Sequence, residues 1–222
     1  MDADFSDAVS EVFCKLYDEG LIYKGYRLVN WDPSLQTALS DLEVSNEEES
    51  SFIWNIKYEH DSGHLTVATT RPETLLGDMA VAVNPKDKRY KKLIGKTVKL
   101  PLTDREIPVI ADDYVDMSFG TGCLKVTPAH DFNDFEIGKR HKLEFLNILN
   151  KDGTLNENAP KKYQNLKMLE ARKIIIEDLD QANLLAGSEK HKLAIPRGER
   201  TGEILEPYLT CLLYTSPSPR DP

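Results

Sequence analysis

The chain has 222 residues, which is enough for one substantial domain or for one domain with pieces of another. Hydrophobic residues make up 40% of it and charged residues 29%, so we expect a packed core and exclude wholesale disorder. The formal net charge of −9 excludes a protein that wraps nucleic acid broadly, and any such contact should be local, such as one strand end.

The first predicted element is an amphipathic helix over residues 5–19. Apolar side chains recur there at helical spacing, at Phe5, Val9, Phe13 and Leu16. Gly20 takes the position that commonly ends a helix. A short segment over residues 21–31 follows and ends at Asp32-Pro33.

Short strands dominate the middle of the chain, after a polar acidic run at residues 46–51 that indicates a domain boundary. Asp61-Ser62-Gly63 is a good hairpin turn between the first two strands. The strands are predicted at residues 51–59, 65–70, 79–83, 97–102, 107–111, 123–127, 146–149 and 153–155. So many short strands favour an α+β fold built on a closed or nearly closed β-barrel with flanking helices.

Two later helices interrupt the strands, one at residues 131–142 and one at 168–185 that Gly187 ends. The last dozen residues, 211–222, change in character. Their run Ser216-Pro217-Ser218-Pro219 cannot continue a helix or a central strand.

The first motif that could carry chemistry is Thr69-Thr70-Arg71-Pro72-Glu73-Thr74, directly after a predicted strand. Pro72 suits a first helical position, so two hydroxyls and a guanidinium should lie beside a helix start. Backbone N–H groups there favour an anion or a polarised carbonyl. Spacing alone fits an ordinary strand-to-helix turn better.

The second motif runs from Phe119 through a Gly-Thr-Gly turn into a strand and then a helix. Lys125 and Thr127 share one face of that strand, because side chains alternate with period two. Asp131 and Asp134 lie three residues apart in the first helical turn and are therefore neighbours. Each residue taken singly also fits a structural role, with Asp131 as helix cap, Asp134 as capping-box partner and Lys125 solvated.

Other kinds of site receive no support from the sequence. The three cysteines are isolated, so neither a zinc site nor a disulfide framework is indicated, and a reducing compartment fits. No apolar run has the length of a membrane span, and no signal peptide is evident. We expect no metal, no membrane contact and a cytoplasmic protein. Serine-hydrolase, P-loop and dinucleotide-binding motifs are missing.

Both motifs resemble the signatures of the editing insertion in class I valyl-, isoleucyl- and leucyl-tRNA synthetases. The first is Ala68-Thr69-Thr70-Arg71-Pro72-Glu73-Thr74, and the second is Gly120-Thr121-Gly122 followed by Pro128-Ala129-His130 and Asp134. The segments at residues 21–41 and 152–159, and Glu206-Pro207, resemble flanking parts of the same family. Lys125-Val126-Thr127 follows the pattern of the valine enzymes.

The resemblance implies a division of the chain and a function. Residues 1–43 would be a fragment of the catalytic domain, 44–190 the editing domain, 191–210 the return to the catalytic domain, and 211–222 a tail foreign to the family. The domain would hydrolyse the ester of threonine on valine tRNA. Its partner would be the acceptor end of that tRNA, bound by a monomer. Alternatives are a non-catalytic module that holds the acceptor end, or the editing domain of an isoleucyl enzyme.

The resemblance also assigns the site. Asp134 would bind the α-amino group of the substrate, and Asp131 and Lys125 would surround the threonine hydroxyl. The remaining members are expected to hold the ester and the terminal adenosine or to complete the pocket: Thr69, Thr70, Arg71, Thr127 and Phe119. Editing needs no cofactor. ATP and Mg²⁺ would serve the full-length enzyme only, because the signatures His-x-Gly-His and Lys-Met-Ser-Lys-Ser are missing from this chain.

Overall fold

The computed structural model describes residues 2–215, which form two compact units. Residues 2–27 and 209–215 belong to one unit, and Leu28–Tyr208 forms the other. In chain order the helices and strands are α1 Ala3–Asp18, β1 Ile22–Asp32, β2 Thr37–Leu39, β3 Val44–His60, β4 Gly63–Thr69, β5 Ala80–Val83, β6 Thr97–Lys99, β7 Glu106–Ala111, β8 Cys123–Val126, α2 Phe132–His141, α3 Met168–Gln181, β9 Leu185–Gly198 and β10 Glu206–Thr215.

The first predicted helix is present as α1, although its apolar face lies in solvent. Asp2 caps it by accepting a hydrogen bond from the backbone N–H of Asp4. Phe5, Val9 and Phe13 are all exposed. The spacing therefore predicted the helix correctly, while no residue of α1 is buried by the residues that the structure describes.

The strands form three sheets with the orders β10-β1-β2, β4-β3-β9 and β6-β7-β5-β8. The α+β class is confirmed, but the closed barrel is wrong for the residues that the structure describes. Strand number did not reveal pairing: β3 and β9 are long and pair along most of their length, while β5 pairs with β7 in parallel and with β8 in antiparallel fashion. Three open sheets result.

The core of the larger unit explains why its central strands form where they do. All four residues of β5 are buried, as expected for a strand with neighbours on both sides. Strand β4 instead buries alternate residues, Leu65, Val67 and Thr69. The turn at Asp61-Ser62 joins β3 to β4 as predicted, and Trp54 pairs with Thr69 at the far end of that hairpin.

Two predictions of local structure differ from what is observed. The acidic run at residues 46–51 lies inside β3, where Asn46 pairs with Pro196 and Ser51 with His191. The domain boundary at 190/191 stays a prediction, and it lies within β9. The short strands predicted near residues 146–155 are wrong, since this segment forms isolated bridges instead, between Leu149 and Leu155 and between Thr154 and Lys167.

Strand β10 continues to Thr215, so residues 211–215 extend a regular strand. The run Ser216-Pro217-Ser218-Pro219 lies outside the described residues. No helix among residues 2–215 is both long and apolar enough to cross a membrane.

Candidate active site: a cleft where strand β8 meets helix α2

A cleft of about 250 Å³ lies in the larger unit beside the end of β8. Seven of the eight predicted site residues line it: Thr69, Thr70, Arg71, Phe119, Lys125, Asp131 and Asp134. The eighth, Thr127, is fully buried and bonded to Lys125. A larger cavity of about 500 Å³ around Arg105 and Asn158 contains none of them. The fold therefore brings two motifs together that lie about fifty residues apart in the sequence.

Asp134 is the buried carboxylate of the cleft. Its Oδ2 accepts a hydrogen bond of 2.8 Å from the backbone N–H of Thr127, which fixes α2 against the end of β8. Gly138, one turn later, permits this approach, because a Cβ there would lie 2.8 Å from Pro128. Asp134 is therefore not the capping-box partner that the sequence also allowed.

Burial raises the pKa of Asp134 to about 7. The negative charge of the neighbouring Asp131 contributes to this rise in pKa, while Lys125 opposes it. A carboxylate held in this way gains from any cation that enters the cleft, because the cation stabilises its charged form.

Asp131 has a different position although it lies only three residues away. It is the N-cap of α2, and its Oδ1 accepts hydrogen bonds from the backbone N–H groups of Asn133 at 2.8 Å and Asp134 at 3.1 Å. Its side chain is exposed at the cleft, and among the described residues Oδ2 accepts no hydrogen bond. The capping role is thus real, and one oxygen remains for a ligand.

Lys125 is buried under the cleft and paired with Asp78, a residue that the sequence analysis missed. Its Nζ lies 3.2 Å from Asp78 Oδ1 and 2.9 Å from Thr74 Oγ1, and it also donates to Thr127. An ammonium has three protons, and these three acceptors use them all. A threonine hydroxyl could receive a proton from Lys125 only if one of these bonds broke.

Arg71 is held by carboxylates at the opposite wall. Its guanidinium contacts Glu206 and Glu73 and donates to the carbonyl of His130 at 3.2 Å. Two guanidinium nitrogens of Arg172, Nε and Nη2, donate in turn to the two carboxylate oxygens of Glu73 at 2.7 Å each. Burial would lower the pKa of Arg71, but the two glutamates hold it above its usual value. Two cations face two anions, so this wall carries little net charge.

The first motif forms a tight turn into a 3₁₀ helix, Pro72–Gly77, with Pro72 at its start as predicted. Thr69 Oγ1 accepts a hydrogen bond from the backbone N–H of Arg71 at 3.1 Å. Thr70 lines the cleft and is half-buried. The predicted strand-to-helix turn is therefore present, and both of its predicted hydroxyl residues, Thr69 and Thr70, line the cleft.

Phe119 lies at the rim and is 69% exposed, beside Tyr114 on the same loop. That loop is anchored by Arg89, which binds Asp87 and donates to the carbonyl of Met117 at 2.9 Å. Two exposed aromatic rings on an anchored loop offer a surface on which a base could stack.

His130 and Cys123 are poor candidates for proton transfer or nucleophilic attack. His130 accepts a hydrogen bond from the backbone N–H of Ile148, and burial lowers its pKa to about 3, so the ring stays neutral. Burial raises the pKa of the Cys123 thiol to about 11. Among residues 2–215, no three His, Cys, Asp or Glu side chains converge to hold a metal ion.

Comparison with known proteins identifies the family. The family model of class I tRNA synthetases for isoleucine, leucine, methionine and valine matches residues 1–210. The chain belongs to the class I tRNA synthetases. It is 61% identical over 221 residues to valine–tRNA ligase of Legionella pneumophila strain Lens, 58% over 212 residues to that of Dechloromonas aromatica, and 59% over 212 residues to that of Francisella tularensis strain SCHU S4.

These comparisons also show how much of a synthetase the chain represents. The alignment with the Legionella relative includes 99% of this chain but 24% of that protein. A LeuRS of Agrobacterium radiobacter K84, solved in a ternary complex with tRNA and LeuAMS, matches 83% of this chain and 31% of its own with a TM-score of 0.48 and 18% identity. The chain therefore spans about a quarter of the relatives that it matches.

The site includes residues to which the sequence analysis assigned no role. Asp78, beneath the cleft, follows the first motif by four residues, and a buried lysine on β8 should have signalled the need for a counter-charge. The cleft-lining residues without an assigned role are Ile53, Thr74, Tyr114, Leu124, His130, Asn133 and His191. Their signal is weak, because they come from separate elements and their types are ordinary for the positions they hold.

Proposed function

We propose that this cleft edits mischarged tRNA by hydrolysing the ester that joins threonine to valine tRNA. The observation that supports this most is that seven of the eight site residues predicted from the sequence line one cleft. A hydrophobic pocket made for valine rejects threonine weakly because the two side chains share a shape, and valyl-tRNA synthetase is the standard example of that limit. A second site that recognises the hydroxyl would correct the error.

The charge distribution of the cleft suits an aminoacyl ester, whose α-amino group is cationic. Lys125 is neutralised by Asp78, and Arg71 is neutralised by glutamates. Asp134 and Asp131 are then the charges left facing the ligand. Asp134 would bind the ammonium with the oxygen that Thr127 does not use. Arrival of the ammonium would favour the ionised carboxylate.

Selection of threonine would fall to the free oxygen of Asp131. A hydroxyl can donate to that oxygen, whereas a valine methyl cannot, so a bound valine would displace water from a polar group without replacing its hydrogen bond. Lys125 is less suited to this role than the sequence indicated, because its three protons are already donated. It would instead hold Thr127 and the floor of the cleft.

The reaction would be attack of water on a positioned ester. No serine among residues 2–215 lines the cleft, and the raised pKa of the Cys123 thiol, about 11, keeps it protonated at neutral pH, so a covalent intermediate has no support. Thr69, Thr70 and Arg71 would hold the ester and the terminal ribose, with the adenine against Phe119. Positioning of both reactants would supply the rate enhancement. Ligation with ATP and Mg²⁺ would belong to the remaining length of the longer relatives.

The test is release of amino acid from valine tRNA charged with threonine or with valine. We expect the chain, working as a monomer in cytoplasmic conditions, to release threonine much faster. Asp134→Asn should lose the activity, and Asp178→Asn should keep it, since Asp178 contacts Lys162 and Tyr163 away from the cleft. Binding without release would favour the acceptor-end module, and selective release of valine from isoleucine tRNA would favour an isoleucyl enzyme.

A further inference from the structure

Asp78 is the most deeply buried charged group beside the cleft, and its side chain has no exposed surface. Three donors converge on it. The Tyr58 hydroxyl of β3 donates at 2.6 Å, and the Lys125 ammonium of β8 and the hydroxyl of Thr127, directly after β8, donate to its other oxygen. A fully buried carboxylate of this kind is costly unless it is paired and hydrogen-bonded.

The network continues from Asp78 to the proposed ammonium ligand. Thr127 donates its hydroxyl to Asp78 and its backbone N–H to Asp134. Thr127 therefore connects Asp78 to Asp134 through two hydrogen bonds. Val81 of β5 pairs with Lys125 of β8, and this register carries the loop before β5 under the lysine.

We infer that Asp78 is a positioning residue of the editing site: it neutralises Lys125 beneath the cleft and, through Thr127, sets the place of Asp134. Without this counter-charge an uncompensated ammonium would lie under the pocket that must accept the cationic α-amino group of the substrate. The inference rests on the proposed function. It gives Lys125 and Asp78 one joint role, which is to hold a polar floor without net charge.

The consequence can be measured at Asp134. The charged groups that act on it are Asp131 on its own helix, Lys125 on β8 and Asp78 in the loop before β5. Asp78 raises the pKa of Asp134 and Lys125 lowers it, so in the intact pair these effects oppose each other. Removing one partner should shift the titration of Asp134, and removing both should restore it.

The experiment compares Asp78→Asn, Lys125→Met and the double variant in the whole chain. The titration of Asp134 is followed by carboxyl NMR, and KM and kcat are measured on threonyl-tRNA. Asp78→Asn should move the Asp134 midpoint down, because the positive charge of Lys125 is then no longer opposed by Asp78. It should also raise KM more than it lowers kcat. Lys125→Met should move the midpoint up.

The double variant should return the Asp134 midpoint close to that of the wild type and reverse most of the rise in KM caused by Asp78→Asn. The reason is that two uncharged side chains then replace an ion pair that has no net charge. A purely structural role predicts no such recovery. Asp178→Asn is the matched control: that carboxylate also binds one tyrosine hydroxyl and one lysine, at 2.6 Å each, but lies on α3. It should change neither readout.

Several outcomes overturn the inference. One is a folded Asp78→Asn protein with an unchanged Asp134 midpoint and an unchanged KM. If Asp78→Asn does not fold, Lys125→Met decides, and a midpoint that fails to rise there is equally contradictory. Wild-type protein that releases no threonine would refute the proposed function alone, since the titrations still report on the pair.

Discussion

Replacing Asp134 by asparagine separates a functional carboxylate from a structural one, because the two roles predict opposite changes in stability. Asparagine keeps an oxygen that can accept the N–H of Thr127, so the 2.8 Å hydrogen bond and the packing of α2 should survive. What is removed is a buried negative charge. The proposed ammonium ligand is then lost while the fold is preserved.

The magnitude follows from the pKa of Asp134, which burial raises from 3.8 to about 7. Because the folded pKa is above the unfolded one, the stabilisation is complete below the unfolded pKa and is lost as the pH rises through about 7. Between pH 5 and pH 8 the wild type should lose about 2 to 3 kcal/mol from this group, at about 1.36 kcal/mol for each pH unit. Asp134→Asn should lose none of it.

Urea denaturation at both pH values measures this difference, and deacylation of threonyl-tRNA measures the function. We expect Asp134→Asn to be at least as stable as the wild type at pH 8 and to have lost nearly all hydrolysis. In the wild type, kcat/KM should rise with pH as Asp134 ionises near pH 7. A variant that is less stable at pH 8 but hydrolyses normally would refute the argument, since it would show that Asp134 is structural.

Two further changes test the specificity and the rim. Asp131→Asn keeps a good helix cap, so the stability of the protein should be unchanged. The rate of threonine release should fall about ten- to a hundredfold with a smaller effect on valine release, as expected for about 1.5–3 kcal/mol from one charge-assisted hydrogen bond. An equal loss on both substrates would contradict the proposal that Asp131 recognises the threonine hydroxyl. Gly122→Ala should lower the free energy of unfolding in urea by more than Gly120→Ala. Both glycines have positive φ, but only at Gly122 would a Cβ lie 2.4 Å from the Arg89 guanidinium. Equal losses of stability would show that backbone strain alone decides.

Local pattern predicted the elements of the site well. Helix α2 begins one residue after the aspartate that was expected to cap it, and the turn at Pro72 begins where proline fits a first helical position. Both features depend on hydrogen bonds within a few residues, so the sequence determines them directly. The residues of the two motifs were found for the same reason, and the resemblance to the family added their grouping.

Features that depend on the pairing of distant strands could not be predicted from the sequence. The acidic run in β3 has neither apolar alternation nor strand-like composition, yet it forms a strand by pairing with β9, where Arg197 contacts both Glu47 and Glu49. A ribbon exposed on both faces needs no apolar periodicity. The role of Asp78 was hidden similarly, since only the register of β5 against β8 places it under Lys125.

The contrast between Asp131 and Asp134 shows why spacing could not assign their roles. Three residues along a helix normally bring two side chains onto one face. Asp131, however, has extended backbone angles, φ −150° and ψ 134°, and its side chain turns back onto the helix start. Asp134 is inside the helix and points to the end of β8. One aspartate therefore remains exposed at the cleft, where the proposed selection of a side chain would take place. The other is buried, where its attraction to a cation is strongest.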